Sequence, residues 1–243
     1  MKLSIIIPVF NEEKTITEIL QRINALLLIG VEKEIIIVDD GSTDNSKFKI
    51  LASLRSGQNA KLKGIKTFFH EKNQGKGAAV RTGIKHATGD YILIQDADLE
   101  YNPNDIEKLI RPIQEKKAVV VYGTRLKRLP NFSRDERTLQ FLIHYLGNKF
   151  LSFLTSLFYG QWITDMETGY KLIPKYVFDD ITLNAKSFDF EPEITAKILK
   201  KHIKILEIPI TTNPRGYDQG KKLNTVKDGI IAFWTLLKYR IIF

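Results

Sequence analysis

Along the first half of the chain, short apolar runs alternate with longer amphipathic stretches, the pattern that the strands and helices of an α/β sheet produce. Residues 3–8 predict a first strand, and residues 13–27 a helix with Ile16, Ile19, Leu20, Ile23 and Leu27 on one face. Strands are then expected over 34–38, 65–69, 91–95 and 119–122, with helices over 44–54, 77–87 and 104–114 between them. The last of these strands is almost continuously apolar, as a parallel sheet covered on both faces requires.

The second half changes character. A polar loop over 129–137 leads into a long helical pattern over 138–159, whose apolar stripe is Leu139, Leu142, Ile143, Leu146, Phe150, Phe153, Leu154 and Leu157. A loop over 163–169, a helix over 191–201, a strand over 203–210 and a basic loop over 214–223 follow. Residues 226–243 predict an amphipathic helix, with Ile230, Ile231, Phe233, Trp234, Leu237 and Ile241 set against Lys227, Asp228, Lys238 and Arg240. Docking on the protein's own core and lying at a membrane interface both fit such a helix. The expected organisation is one α/β unit over 1–225, a mostly parallel sheet flanked by helices, followed by this helix at 226–243.

Composition narrows the chemistry. With no cysteine among 243 residues, disulfides, zinc–thiolate sites and cysteine nucleophiles are excluded. The four histidines show no metal-ligand spacing. A net charge of +9 favours anionic partners such as nucleotide phosphates or lipid headgroups, with Lys200, Lys201, Lys204, Lys221 and Lys222 adding charge that anionic lipids attract. There is no nucleic-acid recognition module, so nucleic acid is not an expected partner. The N-terminal apolar run is too short for a signal peptide, and no run reaches the ~18 apolar residues of a spanning helix. The expected location is cytoplasmic, peripheral at the inner face of a membrane, held directly or through a membrane-protein partner.

Asp96-Ala97-Asp98 closes the fourth predicted strand. In an open α/β sheet, ligands bind outside the carboxyl ends of the strands. Two carboxylates placed there suit Mg²⁺ or Mn²⁺, which take carboxylate and substrate phosphate oxygens together. Asn11-Glu12 and Asp39-Asp40 end two other strands and converge on the same crevice. Gly75-Lys76-Gly77 opens a helix, where it could approach phosphate or pack the helix start tightly on the sheet. Neither GxxxxGK[ST] nor GxGxxG is present.

Four segments in order, Ser4-Ile5-Ile6-Ile7-Pro8-Val9-Phe10-Asn11-Glu12-Glu13, Ile37-Val38-Asp39-Asp40-Gly41-Ser42, Asn73-Gln74-Gly75-Lys76-Gly77 and Asp96-Ala97-Asp98-Leu99-Glu100, resemble family 2 glycosyltransferases, inverting enzymes of the Rossmann-like GT-A fold that use nucleotide sugars. Gly123-Thr124-Arg125, the run from Thr164 to Lys171, Phe190-Glu191-Pro192-Glu193 and the run from Arg215 to Lys222 look like the polyprenyl- or dolichyl-phosphate mannosyl- and glucosyltransferase branch. The resemblance implies that Pro8, Phe10, Glu12, Val38 and Asp40 hold base and ribose. It also implies that Asp96, Ala97, Asp98 and Glu100 border the diphosphate, with Asp96 and Asp98 at the metal. Arg125, Arg215 and Lys221 would hold phosphates of donor or acceptor. Phe10 stands where many relatives have Tyr, Gln219 where close relatives often have Glu, and Glu100 where many have Gln.

Inverting transfer needs an in-line nucleophile and a stabilised leaving diphosphate. A phosphate monoester has a second pKa of about 6 and is already mostly dianionic at neutral pH. A hydroxyl acceptor needs a carboxylate base, for which Asp165 and Glu167 are the candidates; with a phosphate acceptor these two would orient sugar hydroxyls or basic groups. Arg134 and Arg137 fit either a solvated loop or a lipid-phosphate clamp, and His144 and Asn148 share a helix face. Three readings follow: hexose transfer from UDP- or GDP-sugar to polyprenyl phosphate, transfer to a hydroxyl with Asp165 as base, and an inactive membrane-associated scaffold.

Overall fold

The computed structural model describes residues 1–55, 65–125, 139–213 and 225–242. Arg134, Arg137, Arg215, Gln219, Lys221 and Lys222 lie outside the described residues. Seven strands form one sheet in the order β3-β2-β1-β4-β6-β5-β7. They are β1 (Lys2–Val9), β2 (Glu32–Asp39), β3 (Ile65–Phe69), β4 (Tyr91–Ile94), β5 (Val120–Thr124), β6 (Lys171–Pro174) and β7 (Ile205–Pro209). The helices are α1 (Ile16–Ala25), α2 (Ser46–Arg55), α3 (Lys76–His86), α4 (Asp105–Gln114), α5 (Leu139–Tyr159), α6 (Lys175–Asp179), α7 (Phe190–Lys200) and α8 (Thr225–Ile241). The elements expected from apolar periodicity are present, with ends shifted by at most three residues.

Strand β6 and helix α6 carry too short a pattern to be read from the sequence. Strand β6 is antiparallel to both β4 and β5, with Leu172 opposite both Leu93 and Val121; the other strand pairings are parallel. This inserted strand matters for the site. The amino end of an antiparallel strand lies beside the carboxyl ends of its neighbours, so residues 163–169 reach the rim where β4 and β5 deliver Asp96 and Arg125.

The sheet is covered on both faces. Ile6, Val38, Ile92, Ile94 and Tyr122 pack on one side with α3 and α7, and Ile5, Ile7, Ile35, Leu93 and Val121 on the other with α1 and α4. Helix α8 packs against α5 and α7, burying Ala232, Leu236 and Tyr239, and the Tyr239 hydroxyl donates to Glu193 at 2.6 Å.

Helix α5 is turned unexpectedly. Its buried positions include Asn148, Leu151, Ser152 and Thr155, whereas Ile143, Leu146, Phe150, Phe153 and Leu157 of the apolar stripe are exposed. The buried hydroxyls are satisfied locally: Thr155 donates to the Leu151 carbonyl at 2.8 Å, and Ser152 accepts from the Met166 amide at 3.0 Å.

Candidate active site

A cavity of about 360 Å³ opens at the carboxyl ends of β1, β2, β4 and β5, a size suited to a small ligand. Pro8, Phe10, Glu12, Asp40, Asp96, Ala97, Asp98, Glu100, Arg125 and Glu167 all line it, so residues far apart in the chain meet here. Two expected residues stand back from the wall. Val38 is buried in the core under α3. Asp165 is fully buried behind Arg125.

Asp40 sits at the end of β2 because its carboxylate closes the neighbouring loop, accepting the amides of Gln74 at 3.0 Å and Gly75 at 2.7 Å. His70 fixes it from the other side, with Nδ1 2.7 Å from Asp40 and Nε2 2.9 Å from the Thr82 hydroxyl. His70 was not legible as a site residue: it follows β3 in an otherwise ordinary loop, and only strand pairing brings it to Asp40.

The Gly75-Lys76-Gly77 turn serves both purposes weighed for it. Gly75 has φ +97°, and a Cβ there would fall 2.2 Å from the Lys186 carbonyl oxygen. That close approach seats the start of α3. Lys76 then reaches 2.9 Å to Asp96 and 2.9 Å to Glu191. Burial opposes its charge, but the two carboxylates outweigh burial and hold its pKa well above the usual lysine range. Gly169 is needed for the same reason of space: a Cβ there would lie 2.5 Å from Asp96 Oδ2. Asp98 accepts the Glu100 amide at 3.0 Å.

On the opposite wall, Asp165 takes three hydrogen bonds from Arg125: its amide at 2.8 Å, Nε at 2.8 Å and Nη2 at 2.7 Å. Burial raises the carboxyl's pKa, Arg125 outweighs it, and the net shift is downward. The paired guanidinium keeps 20% of its side chain exposed and lines the cavity, above the ring of Tyr101. Thr164 and Asp165 amides are anchored in turn by Glu207 of β7.

Glu167 and Glu191 have one buried oxygen each, Oε1 and Oε2, without a hydrogen-bond partner. Burial, and then the nearby Glu191 charge, push Glu167 up to about 8. A carboxyl that keeps its proton at neutral pH removes that repulsion and turns an orphaned acceptor into a donor. Burial also lowers the pKa of Lys171, whose ammonium donates to the Met166 and Thr168 carbonyls and lies 4.5 Å from the Tyr122 ring centroid.

Among the described residues no group of three or more His, Cys, Asp or Glu is preassembled as a metal cage. Asp96 and Asp98 nonetheless fit a hard divalent ion, which takes few protein carboxylates and completes its shell with phosphate and water.

A mostly parallel α/β sheet whose strand-end cavity is lined by the Asp96-Ala97-Asp98 turn, Lys76 and Arg125 fits a nucleotide-sugar-dependent transferase. The family model described as "Glycosyl transferase family 2" matches residues 4–182, and the chain belongs to that family: it is a glycosyltransferase, transferring a glycosyl group from a nucleotide sugar. It is 33% identical to the UDP-N-acetylglucosamine–dolichyl-phosphate N-acetylglucosaminyltransferase of Methanococcus voltae, over 96% of this chain and 94% of that protein. It is 28% identical to the dolichol-phosphate mannosyltransferase of Pyrococcus furiosus, over 98% of this chain and 64% of that one. The fold matches glucosyl-3-phosphoglycerate synthase of Mycobacterium tuberculosis with a TM-score of 0.74 and 19% identity, covering 99% of this chain and 81% of that one. Structures of that enzyme hold Mn²⁺ or Mg²⁺ with UDP. No helix among the described residues is long and apolar enough to cross a membrane.

Proposed function

We propose that this enzyme transfers a hexose, glucose or mannose, from a UDP- or GDP-sugar to a polyprenyl phosphate, with inversion. The observation that carries this reading is the Arg125–Asp165 pair. Asp165 spends both oxygens on Arg125 and has a lowered pKa, a poor state for a base and a good one for presenting a guanidinium to an anion. A phosphate dianion needs no base. The dolichyl-phosphate enzymes among the relatives support the same acceptor class.

In this reading Pro8, Phe10, Glu12 and Asp40 cradle base and ribose, and the Asp40–His70 contact sets the carboxylate's direction. Asp96 and Asp98 would hold Mg²⁺ or Mn²⁺, which would supply Lewis-acid stabilisation of the leaving diphosphate. Lys76 neutralises Asp96 and Glu191 at the floor, and Arg125 aligns the acceptor phosphate for in-line attack on the anomeric carbon. Arg215 and Lys221 are assigned to phosphate contacts by resemblance alone. Helix α8 belongs to the surface that meets the lipid.

The test is incubation with Mg²⁺ or Mn²⁺, undecaprenyl or dolichyl phosphate, and labelled UDP-glucose or GDP-mannose. Label entering the organic phase, and absent with Asp98→Ala, is the expected result. Transfer only to saccharide hydroxyls, abolished by Asp165→Asn, would replace this reading with the base-assisted one.

A further inference from the structure

Glu191 lies in the first turn of α7 and is 4% exposed. Its two oxygens are unequal. Oε1 takes the Lys76 ammonium at 2.9 Å, while Oε2 is buried and has no hydrogen-bond partner. Glu167, on the loop before β6, repeats the pattern with a buried, unpartnered Oε1. The Lys171 ammonium attracts Glu167 but donates to the Met166 and Thr168 carbonyls instead. Both glutamates line the cavity. Native folds rarely leave buried polar atoms unsatisfied, so two on one cavity wall are hydrogen-bonding groups kept for a ligand.

Position says which part of the ligand meets them. Asp165, two residues before Glu167, holds Arg125, and Gly169, two residues after it, packs against Asp96. Glu191 is tied to Asp96 through the shared Lys76 ammonium. The two carboxyl groups therefore lie between the residues assigned to the leaving diphosphate and the guanidinium assigned to the attacking phosphate. In a transfer from one phosphate to another, the sugar is what lies between. Chemistry narrows the contact further. Burial and the Glu191 charge keep the proton on Glu167, so the pair presents one O–H donor beside a carboxylate acceptor. A hydroxyl, which both donates and accepts, is the complement; an ammonium group accepts nothing. A sugar without that hydroxyl leaves both carboxyl groups unpaired, which is how a polar site rejects a deoxy analogue.

We propose that Glu167 and Glu191 together bind one hydroxyl group of the donor hexose and thereby select which sugar is transferred. The position of the hexose, though not the pair of unpartnered oxygens, rests on the polyprenyl-phosphate reading above.

The whole chain is titrated calorimetrically with UDP, GDP, UDP-glucose and GDP-mannose, and then with monodeoxy analogues of whichever sugar nucleotide binds. Glu191→Gln keeps an oxygen for Lys76 and turns the unpartnered acceptor into a donor. The readout is the ratio of affinities for the sugar nucleotide and its nucleoside diphosphate, which cancels any change passed to the diphosphate through Lys76. Diphosphate binding also reports folding, and Glu167→Ala, which leaves Lys76 both its partners, repeats the test. The expected result is a ratio lowered about tenfold to a hundredfold in Glu191→Gln, the scale of a hydrogen bond to a charged group, and by a smaller factor in Glu167→Ala. One monodeoxy analogue should show the same loss against the wild type and little further loss against Glu191→Gln, because one contact cannot be lost twice. Ratios unchanged in both variants overturn the proposal, and so do losses that simply add for every monodeoxy analogue. Wild-type protein that binds neither sugar nucleotide also overturns it. The expected ratios without transfer to any prenyl phosphate would leave the hydroxyl site standing and remove the acceptor reading; transfer to a prenyl phosphate with unchanged ratios would do the reverse.

Discussion

The carboxyl ends of β1, β2, β4 and β5 and the outer faces of α5 and α8 obey opposite packing rules. At the strand ends, three buried polar groups are held by several partners: Asp40 by two amides and His70, Asp165 by three donors from Arg125, Lys76 by two carboxylates. On the helices, large apolar side chains face outward, and in α5 the polar Asn148, Ser152 and Thr155 are buried beside Leu151. The first arrangement preorganises charge where burial makes it expensive to misplace. The second forgoes hydrophobic burial in the isolated chain, a loss that contact with an apolar partner recovers. Rigid chemistry and adaptable contact are thus segregated within one fold.

The largest expected effect comes from the acidic turn. Asp98→Ala should lower kcat by about a hundredfold to a thousandfold, the range for removing one major electrostatic contributor, with UDP affinity measured alongside; near-normal kcat would break the contrast at its centre. Asp165→Ala leaves Arg125 buried without its partner and should cost roughly 3–5 kcal/mol of stability, read as a shift in the denaturant midpoint. Glycine offers a direct comparison of the two regions. Gly169→Ala sets a methyl against Asp96 and should sharply reduce activity. Gly147→Ala in α5 meets nothing within 4 Å and should stabilise by about 0.5–1 kcal/mol through helix propensity. Equal effects at both positions would argue against a rigid strand-end region.

Two smaller effects sharpen the picture. His70→Gln loosens Asp40 and should raise the donor KM up to about tenfold, the scale of one or so hydrogen bonds, while leaving kcat close to normal. Glu167, facing Glu191, Lys171, Arg125 and Asp165, has a folded pKa of about 8, above its value in the unfolded chain. Between pH 5 and 8 the unfolded form releases this proton and the folded form retains it, so wild-type stability declines across that window. Glu167→Gln should therefore gain stability relative to wild type as pH rises from 5 to 8, in denaturant melts at fixed ionic strength. A pH-independent difference would show that Glu167 is already ionised at the low end.

Much of the donor side was legible because strand ends are legible. An apolar run ending in Asp96-Ala97-Asp98 or Asp39-Asp40 fixes both the strand and the place its acids occupy, and ten of the expected residues do line the cavity. Val38 reads differently in three dimensions because side chains alternate along a strand, and its own points into the core. His70 escaped notice because a histidine after a strand carries no local signal; the Asp40 contact exists only across β2 and β3. Lys76 was visible as part of a glycine-flanked turn, but its two carboxylate partners lie 20 and 115 residues further along the chain.

The amino-acid order by itself determined the succession of strands and helices, the acids at the strand ends and the amphipathic period of α5 and α8, because each depends on neighbours within one or two turns of chain. Tertiary structure alone decided that β6 inserts antiparallel between β4 and β5, carrying Asp165 to Arg125, and that the α5 stripe faces outward. Periodicity states that a helix has two faces; only the competition of all elements for one core decides which face is left outside.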